Sequence, residues 1–226
     1  MRTIYRLLLP ALLVLFLAAC NNKNKVNLLE TNAKDEVPSL GNLSFTFSKN
    51  LVPDSLLERW DSTEFIHFDP PIAGRFRWDN PNELVFSPAY ELPPATTFKA
   101  TVTDKLLKYF PQYSIGKCEI KPFYTALLKL NTVYGTWNVS DGSAGSAFPQ
   151  VDFYFNYKVS PDKLKELLTL TVEGEQRPYN LLTTTADNKI SISIPNVNQL
   201  DKDLTARVKI AKGLLPEHGN SPTDAD

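Results

Sequence analysis

Only two cysteines and two histidines occur among the 226 residues, and that scarcity removes much of the chemistry a chain of this size can carry. Cys20 belongs to a processing signal, so Cys118 is left as the one free thiol and no intrachain disulfide can form. His67 and His218 are far apart in sequence, and neither stands near a carboxylate pair. That argues against a zinc centre and against a cysteine–histidine nucleophile pair. A glycine-rich phosphate loop, a G-x-S-x-G elbow and a metal-ligand cluster are all missing. Neither charge sign dominates: 24 basic and 25 acidic residues are interspersed, for a formal net charge of −1. With no basic stripe, nothing attracts nucleic acid.

What is present begins with a targeting segment. Arg2 and Arg6 precede a run from Leu7 to Ala19 that is apolar apart from Pro10. The run is too short to span a membrane as a helix but has the length of a secretory h-region. It ends Leu17-Ala18-Ala19-Cys20, a lipobox in which small residues precede the cysteine that becomes acylated. Residues 1–19 are therefore expected to be a lipoprotein signal peptide and Cys20 the lipidation site. Membrane attachment would come from the acyl chains, more than one being needed for stable anchoring. Asn21 is not the aspartate that retains lipoproteins in the inner membrane of enteric bacteria. The expected address is thus the cell envelope, at the outer membrane of a Gram-negative bacterium. Asn21 to Pro38 is polar, and residues 20–40 read as a flexible tether above the lipid.

Beyond the tether the chain repeats itself. Phe45-Thr46-Phe47-Ser48 runs into Leu51-Val52-Pro53-Asp54-Ser55-Leu56, and 108 positions later Phe153-Tyr154-Phe155-Asn156 runs into Val159-Ser160-Pro161-Asp162-Lys163-Leu164. Aromatic residues two apart mark the inward face of a half-buried strand. The proline that follows suits the first position of a helical turn, and the Ser160 hydroxyl is placed to cap the second turn. Leu84 and Phe86 recur as Ile190, Ile192 and Ile194. Phe98, Ala100 and Val102 recur within Leu204, Ala206, Val208 and Ile210.

Short alternating segments between proline and asparagine turns predict an all-β chain of two tandem Ig-like sandwiches, at 41–125 and 126–226. Cys118 to Thr125 reads as the closing strand of the first, with Cys118 a strand residue. Ser140 to Ser146 reads as a loop. The equivalent closing strand of the second sandwich would begin near position 224, so that sandwich is expected to lack its last strand. An open edge of that kind is a pairing hazard that native proteins cover, and the chain is expected to be the front end of a longer polypeptide.

The strings Phe45 to Pro53, Phe76-Arg77-Trp78, Leu84 to Pro88 and Leu92-Pro93-Pro94-Ala95-Thr96-Thr97-Phe98 resemble a bacterial Ig-like domain. They are similar to the domains that open the bacterial alpha-2-macroglobulin family lipoproteins, and Val208 to Pro216 resembles the macroglobulin-like domain that follows. The resemblance implies a protease-trapping endopeptidase inhibitor, in which cleavage of a bait segment collapses the molecule and a Cys–Gln thioester captures the protease. Glu173-Gly174-Glu175-Gln176 is similar to the thioester motif Cys-Gly-Glu-Gln, but with glutamate in place of the cysteine no thioester forms. It reads as a hairpin turn. Bait and thioester regions would lie beyond residue 226 or be absent from the gene product. Proteases would be partners only through that downstream region.

Among the remaining candidates, Asp54, Glu58 and Asp61 lie near one helical turn without convergent partners. Trp60, Trp137 and Tyr154 form a possible surface for a glycan or protein partner, with Trp78 and Tyr134 as further aromatic candidates. Alternation points Tyr154 away from Phe153 and Phe155. No cofactor and no metal is expected. Two readings remain: a non-catalytic scaffold at the lipidated end of a macroglobulin-like inhibitor, or a stand-alone Ig-like lipoprotein that binds a glycan or protein. A hydrolase built on Cys118 and a histidine is disfavoured by the spacing.

Overall fold

In the computed structural model of the chain, residues 24–139, 147–197 and 205–224 are described. The signal peptide, Cys20, Leu204 and the Ser140–Ser146 loop lie outside them. The chain is all-β apart from short helical turns, and it divides into two compact units. The first holds the described residues up to Asp35, Leu40–Glu91 and Phe98–Phe123; the second holds Glu36–Ser39, Leu92–Thr97 and the described residues from Tyr124 on.

The strands run in chain order β1 (Lys25–Val26), β2 (Leu28–Thr31), β3 (Asp35–Val37), β4 (Leu43–Phe47), β5 (Trp60–Asp61), β6 (Ile66–Asp69), β7 (Gly74–Asn80), β8 (Glu83–Pro88), β9 (Thr97–Val102), β10 (Ser114–Ile115) and β11 (Phe123–Thr125). They form a five-stranded sheet β2-β4-β8-β7-β5, a four-stranded sheet β3-β11-β9-β6 and a parallel pair β1-β10. Alternation places Leu43, Phe45 and Phe47 inward on β4, and Phe76 and Trp78 inward on β7. These rings interlock with Phe65, Phe68 and Phe86; Phe68–Phe86 and Phe76–Phe86 centroids lie 4.7 and 4.8 Å apart. Each fully buried phenylalanine contributes about 1.5–3 kcal/mol of burial free energy.

The later strands are β12 (Leu130–Val139), β13 (Ala147–Val159), β14 (Leu168–Val172), β15 (Glu175–Gln176), β16 (Asn180–Leu181), β17 (Asp187–Ser193) and β18 (Ala206–Ile210), with helix α1 (Pro161–Leu167) between β13 and β14. They form the sheets β12-β13-β17-β16 and β15-β14-β18. Val151, Phe153, Phe155, Leu164, Leu170, Ile190 and Ile192 make the core.

The internal repeat extends to the register of pairing. On β4 and β8, Phe45 faces Leu84 and Leu43 faces Phe86; on β13 and β17, Phe153 faces Ile190 and Val151 faces Ile192. Ile66 faces Val102 and Phe68 faces Ala100, as Leu168 faces Ile210 and Leu170 faces Val208. A one-residue slip in either copy turns the apolar set toward water, so burial holds both copies to one register.

Four sequence expectations need correction. The tether expected over 20–40 instead holds three short strands, Lys25–Val26, Leu28–Thr31 and Asp35–Val37: β2 pairs with β4, and Val26, Ala33 and Val37 are buried. β2 is the first-unit counterpart of β12. Both strands carry a register shift at the same place, between Leu28 and Glu30 and between Leu130 and Thr132. Few apolar residues suffice there, because a strand borrows its stability from the partner's backbone groups. The closing strand Cys118–Thr125 shortens to β11, with Cys118 outside any strand and a lone bridge between Thr101 and Glu119.

Ser160 occupies the N-cap of α1 without a side-chain capping bond, leaving Pro161 to start the helix. Pro53 sits one position outside its 3-10 turn, Asp54–Leu56, rather than within it. The hairpin expected at Gly174-Glu175 is present one position earlier, with Glu173 and Gly174 as its turn residues and Glu175 already in β15. β14 and β15 pair Val172 with Glu175, and Glu173 and Gly174 both take positive φ (53° and 86°), as a two-residue type I′ turn requires.

Candidate functional site

The outward face of β12-β13-β17 carries an organised polar and aromatic group. Tyr154 stands beside Thr132 on one flank and Lys189 on the other; Asp152 stands between Tyr134 and Ser191; Gln150 stands between Thr136 and Ser193. Period-two alternation puts all of these opposite the Val151 and Phe153 core positions. The Tyr134 and Tyr154 rings meet edge to face at 5.7 Å, and Tyr134 is 58% exposed.

Lys189 Nζ lies 2.9 Å from Asp152 Oδ2 and 5.5 Å from the Tyr154 ring centroid. Gln150 Nε2 donates to Asp152 Oδ1 at 2.7 Å. Burial opposes ionisation of Asp152. Hydrogen bonds from Ser191, Lys189 and Gln150, with the Lys189 charge, outweigh it and hold the carboxyl below its ordinary range. In return, the hydrogen bond to Asp152 raises Lys189 against its own desolvation. The result is a fixed charge pair under an exposed aromatic edge, suited to stacking and hydrogen bonding with a polar ligand. Tyr154 was legible as outward-facing; Asp152 and Lys189 were not singled out, although Asp152 shares Tyr154's parity on the strand.

The other named aromatics do not join this face. Trp137 pairs with Pro149, on the same side of the sheet as Val151 and Phe153. Trp60 belongs to the first unit, where it is 49% exposed with the Arg77 guanidinium 4.9 Å from its ring centroid. It borders a cavity of about 360 Å³ with Gly74, Arg75 and Pro88. Trp78 is core.

Cys118 is half-buried, and its Sγ donates to Val26 O at 3.2 Å. Burial raises its pKa, the opposite of what a nucleophilic thiol needs. His67 Nδ1 is engaged by Glu64 Oε1 at 2.7 Å, and His218 is exposed in the second unit. Asp61 accepts from Thr63 N, Lys108 Nζ and Tyr109 OH. Burial raises its carboxyl, but hydrogen bonds from the Thr63 side chain and backbone and from Lys108, with the Lys108 charge, bring it below the usual range. Among the described residues no group of three His, Cys, Asp or Glu side chains is arranged to hold a metal ion.

No family model matches the chain, and no curated protein does. Among solved structures, an L,D-transpeptidase from Mycobacterium tuberculosis H37Rv is 13% identical at a TM-score of 0.28, with 70% of this chain and 65% of that one covered. The chain thus spans less than two thirds of that protein's length. L,D-transpeptidase 3 from Mycobacterium tuberculosis is 12% identical at a TM-score of 0.28, with 81% and 78% covered. Likeness at this level carries no argument about fold or chemistry.

Proposed function

We propose that this chain is a non-catalytic scaffold and interaction module, lipid-anchored in the cell envelope at the N-terminal end of an alpha-2-macroglobulin-like inhibitor. The observation that carries the reading is the register-for-register duplication of one sandwich behind a lipobox. Such a duplication places two copies of one fold between an anchor and whatever the module presents. Bait and thioester functions would be supplied by sequence other than these residues. The test is the native product in the cell envelope, probed with an antibody against residues 39–226. The reading requires an acylated band many times larger than 25.4 kDa, released from membranes by C20A. A soluble band near that mass that carries no lipid overturns it.

The outward face of β12-β13-β17 favours a second reading, a stand-alone lipoprotein that binds a glycan or a protein there. Aromatic edges flanked by fixed polar groups suit sugar stacking and hydrogen bonding. Binding on a glycan array that is lost in Y134A and Y154A would establish it; an array without signal would leave the scaffold reading in place.

A further inference from the structure

β12 is an edge strand of a kind that the rest of the chain avoids. A strand edge exposes unpaired N–H and C=O groups that can pair with another strand, and native edges are kept short, charged or interrupted by proline. Every other edge strand among the described residues has five residues or fewer. β12 has ten, Leu130–Val139, without a charged residue or a proline. Among the described residues it pairs with β13 alone. It is open to solvent on both faces of the sheet. On the side of Val151 and Phe153, Val133, Trp137 and Val139 are 36%, 41% and 65% exposed; on the other side Tyr134 is exposed as well.

The direction of its free backbone groups follows from one hydrogen bond. Pro149 O accepts from Ile194 N at 3.0 Å, so the backbone of Pro149 faces the β17 side and not β12. In an antiparallel ladder, the residue opposite such a position turns its own N–H and C=O away. That residue is Trp137. The register from Thr132 to Val139 runs without a shift, so period two also turns the backbone of Val133, Gly135 and Val139 to the free edge. No loop backbone among the described residues bonds to any of the four. A second copy laid antiparallel about Thr136 engages all of them. Val133 then meets Val139 of the other copy, Tyr134 meets Asn138, Gly135 meets Trp137, and Thr136 meets its own twin. The indole of Trp137 needs room beside it, and Gly135 offers that room: no atom lies within 4 Å of a Cβ added there. Threonine facing threonine is a favourable cross-strand pair. Because Leu130–Val139 holds no charge, pairing the edge with itself brings no like charges together.

We propose that β12 pairs antiparallel with β12 of a second copy of this chain, giving a homodimer in which the two β12-β13-β17-β16 sheets run on as one. The contact is isologous, the same strand on both sides of a two-fold axis at Thr136. Main-chain hydrogen bonds close the edge, and the fit of Trp137 beside Gly135 sets the register, the logic of β-strand addition. Val133, Trp137 and Val139 of both copies join into one apolar stripe. The outward face stays open to solvent and carries the two Tyr134–Tyr154 groups on a single surface. This inference stands on the pairing register and not on the functional reading above.

The experiment uses the chain carrying C20A and C118S, so that no native thiol can cross-link, with one cysteine introduced on β12 at a time. Directly opposed residues of this pair type have Cα atoms about 4.5 Å apart, within disulfide reach. T136C should therefore oxidise to a covalent dimer, and N138C, whose twin would stand about 13 Å away along the edge, should not. In sedimentation velocity, T136K and T136E alone should each weaken self-association at least about tenfold, because like charges meet on the axis. A one-to-one mixture of the two should restore it, which also shows that both variants fold. A chain that stays monomeric up to its solubility limit would overturn the proposal. So would equal cross-linking of N138C and T136C, no cross-linking of T136C, or no recovery in a mixture whose circular dichroism matches the parent chain.

Discussion

Replacing Gly116 by alanine tests whether the closing segment of the first unit is seated as tightly as its backbone geometry demands. An alanine Cβ there would lie 2.4 Å from Asn27 Oδ1, 3.0 Å from Val26 O and 3.1 Å from Lys25 Cβ. Asn27 cannot swing aside freely, because its Oδ1 accepts from Lys117 N at 2.7 Å. Breaking that bond costs about 1 kcal/mol, and forcing the strands apart costs about 1–3 kcal/mol. Gly116 is not among the positive-φ residues, so alanine returns roughly 0.4–1 kcal/mol by stiffening the unfolded chain. The net expectation is a loss of about 1–3 kcal/mol. Hydrogen exchange at Leu28, whose amide bonds Lys117 O, should quicken roughly tenfold to hundredfold. G135A is the control: no atom lies within 4 Å of its added Cβ, and exchange there should be unchanged. If G116A matches the parent chain at Leu28, the close seating is wrong.

Three further outcomes are expected. F153A removes a fully buried ring at the centre of the second core and should destabilise by about 3–5 kcal/mol, read by chemical denaturation. The depressed Asp152 carboxyl contributes stability above the unfolded aspartate pKa of about 3.9, and that stability is lost as pH falls through the lower folded value. D152N should therefore lower stability at neutral pH by on the order of 1 kcal/mol. It should also flatten the acid limb of a pH–stability profile; an unchanged acid limb would refute the pairing. Cys118, with its pKa raised by burial, should alkylate with iodoacetamide more slowly than free cysteine at pH 8, and C118S should fold normally. Rapid labelling would revive a reactive-thiol role.

Much of this architecture could be read from alternation alone. Phe45, Phe47, Phe153 and Phe155 announce strands with one face in a core, because side chains two apart must share a side of the sheet. The duplication around them announces two copies of one sandwich, and the paired registers of β4–β8 and β13–β17 match. The candidate site was half legible: Tyr154 pointed outward by parity and Asp152 shares that parity, but nothing local tied them to Lys189, or separated them from Trp137 across the sheet.

The sequence by itself determined where buried side chains repeat, since burial leaves a periodic mark on the residues that undergo it. Tertiary structure alone decided the elements that bury little. The polar stretch from Lys25 to Val37 becomes three short strands, and the span from Ser114 to Ile120 becomes a close-fitting seal. Both are held by backbone hydrogen bonds to distant strands, and every residue except proline carries the same donor and acceptor. Pairing of that kind writes no pattern into the side chains of the segment that is paired.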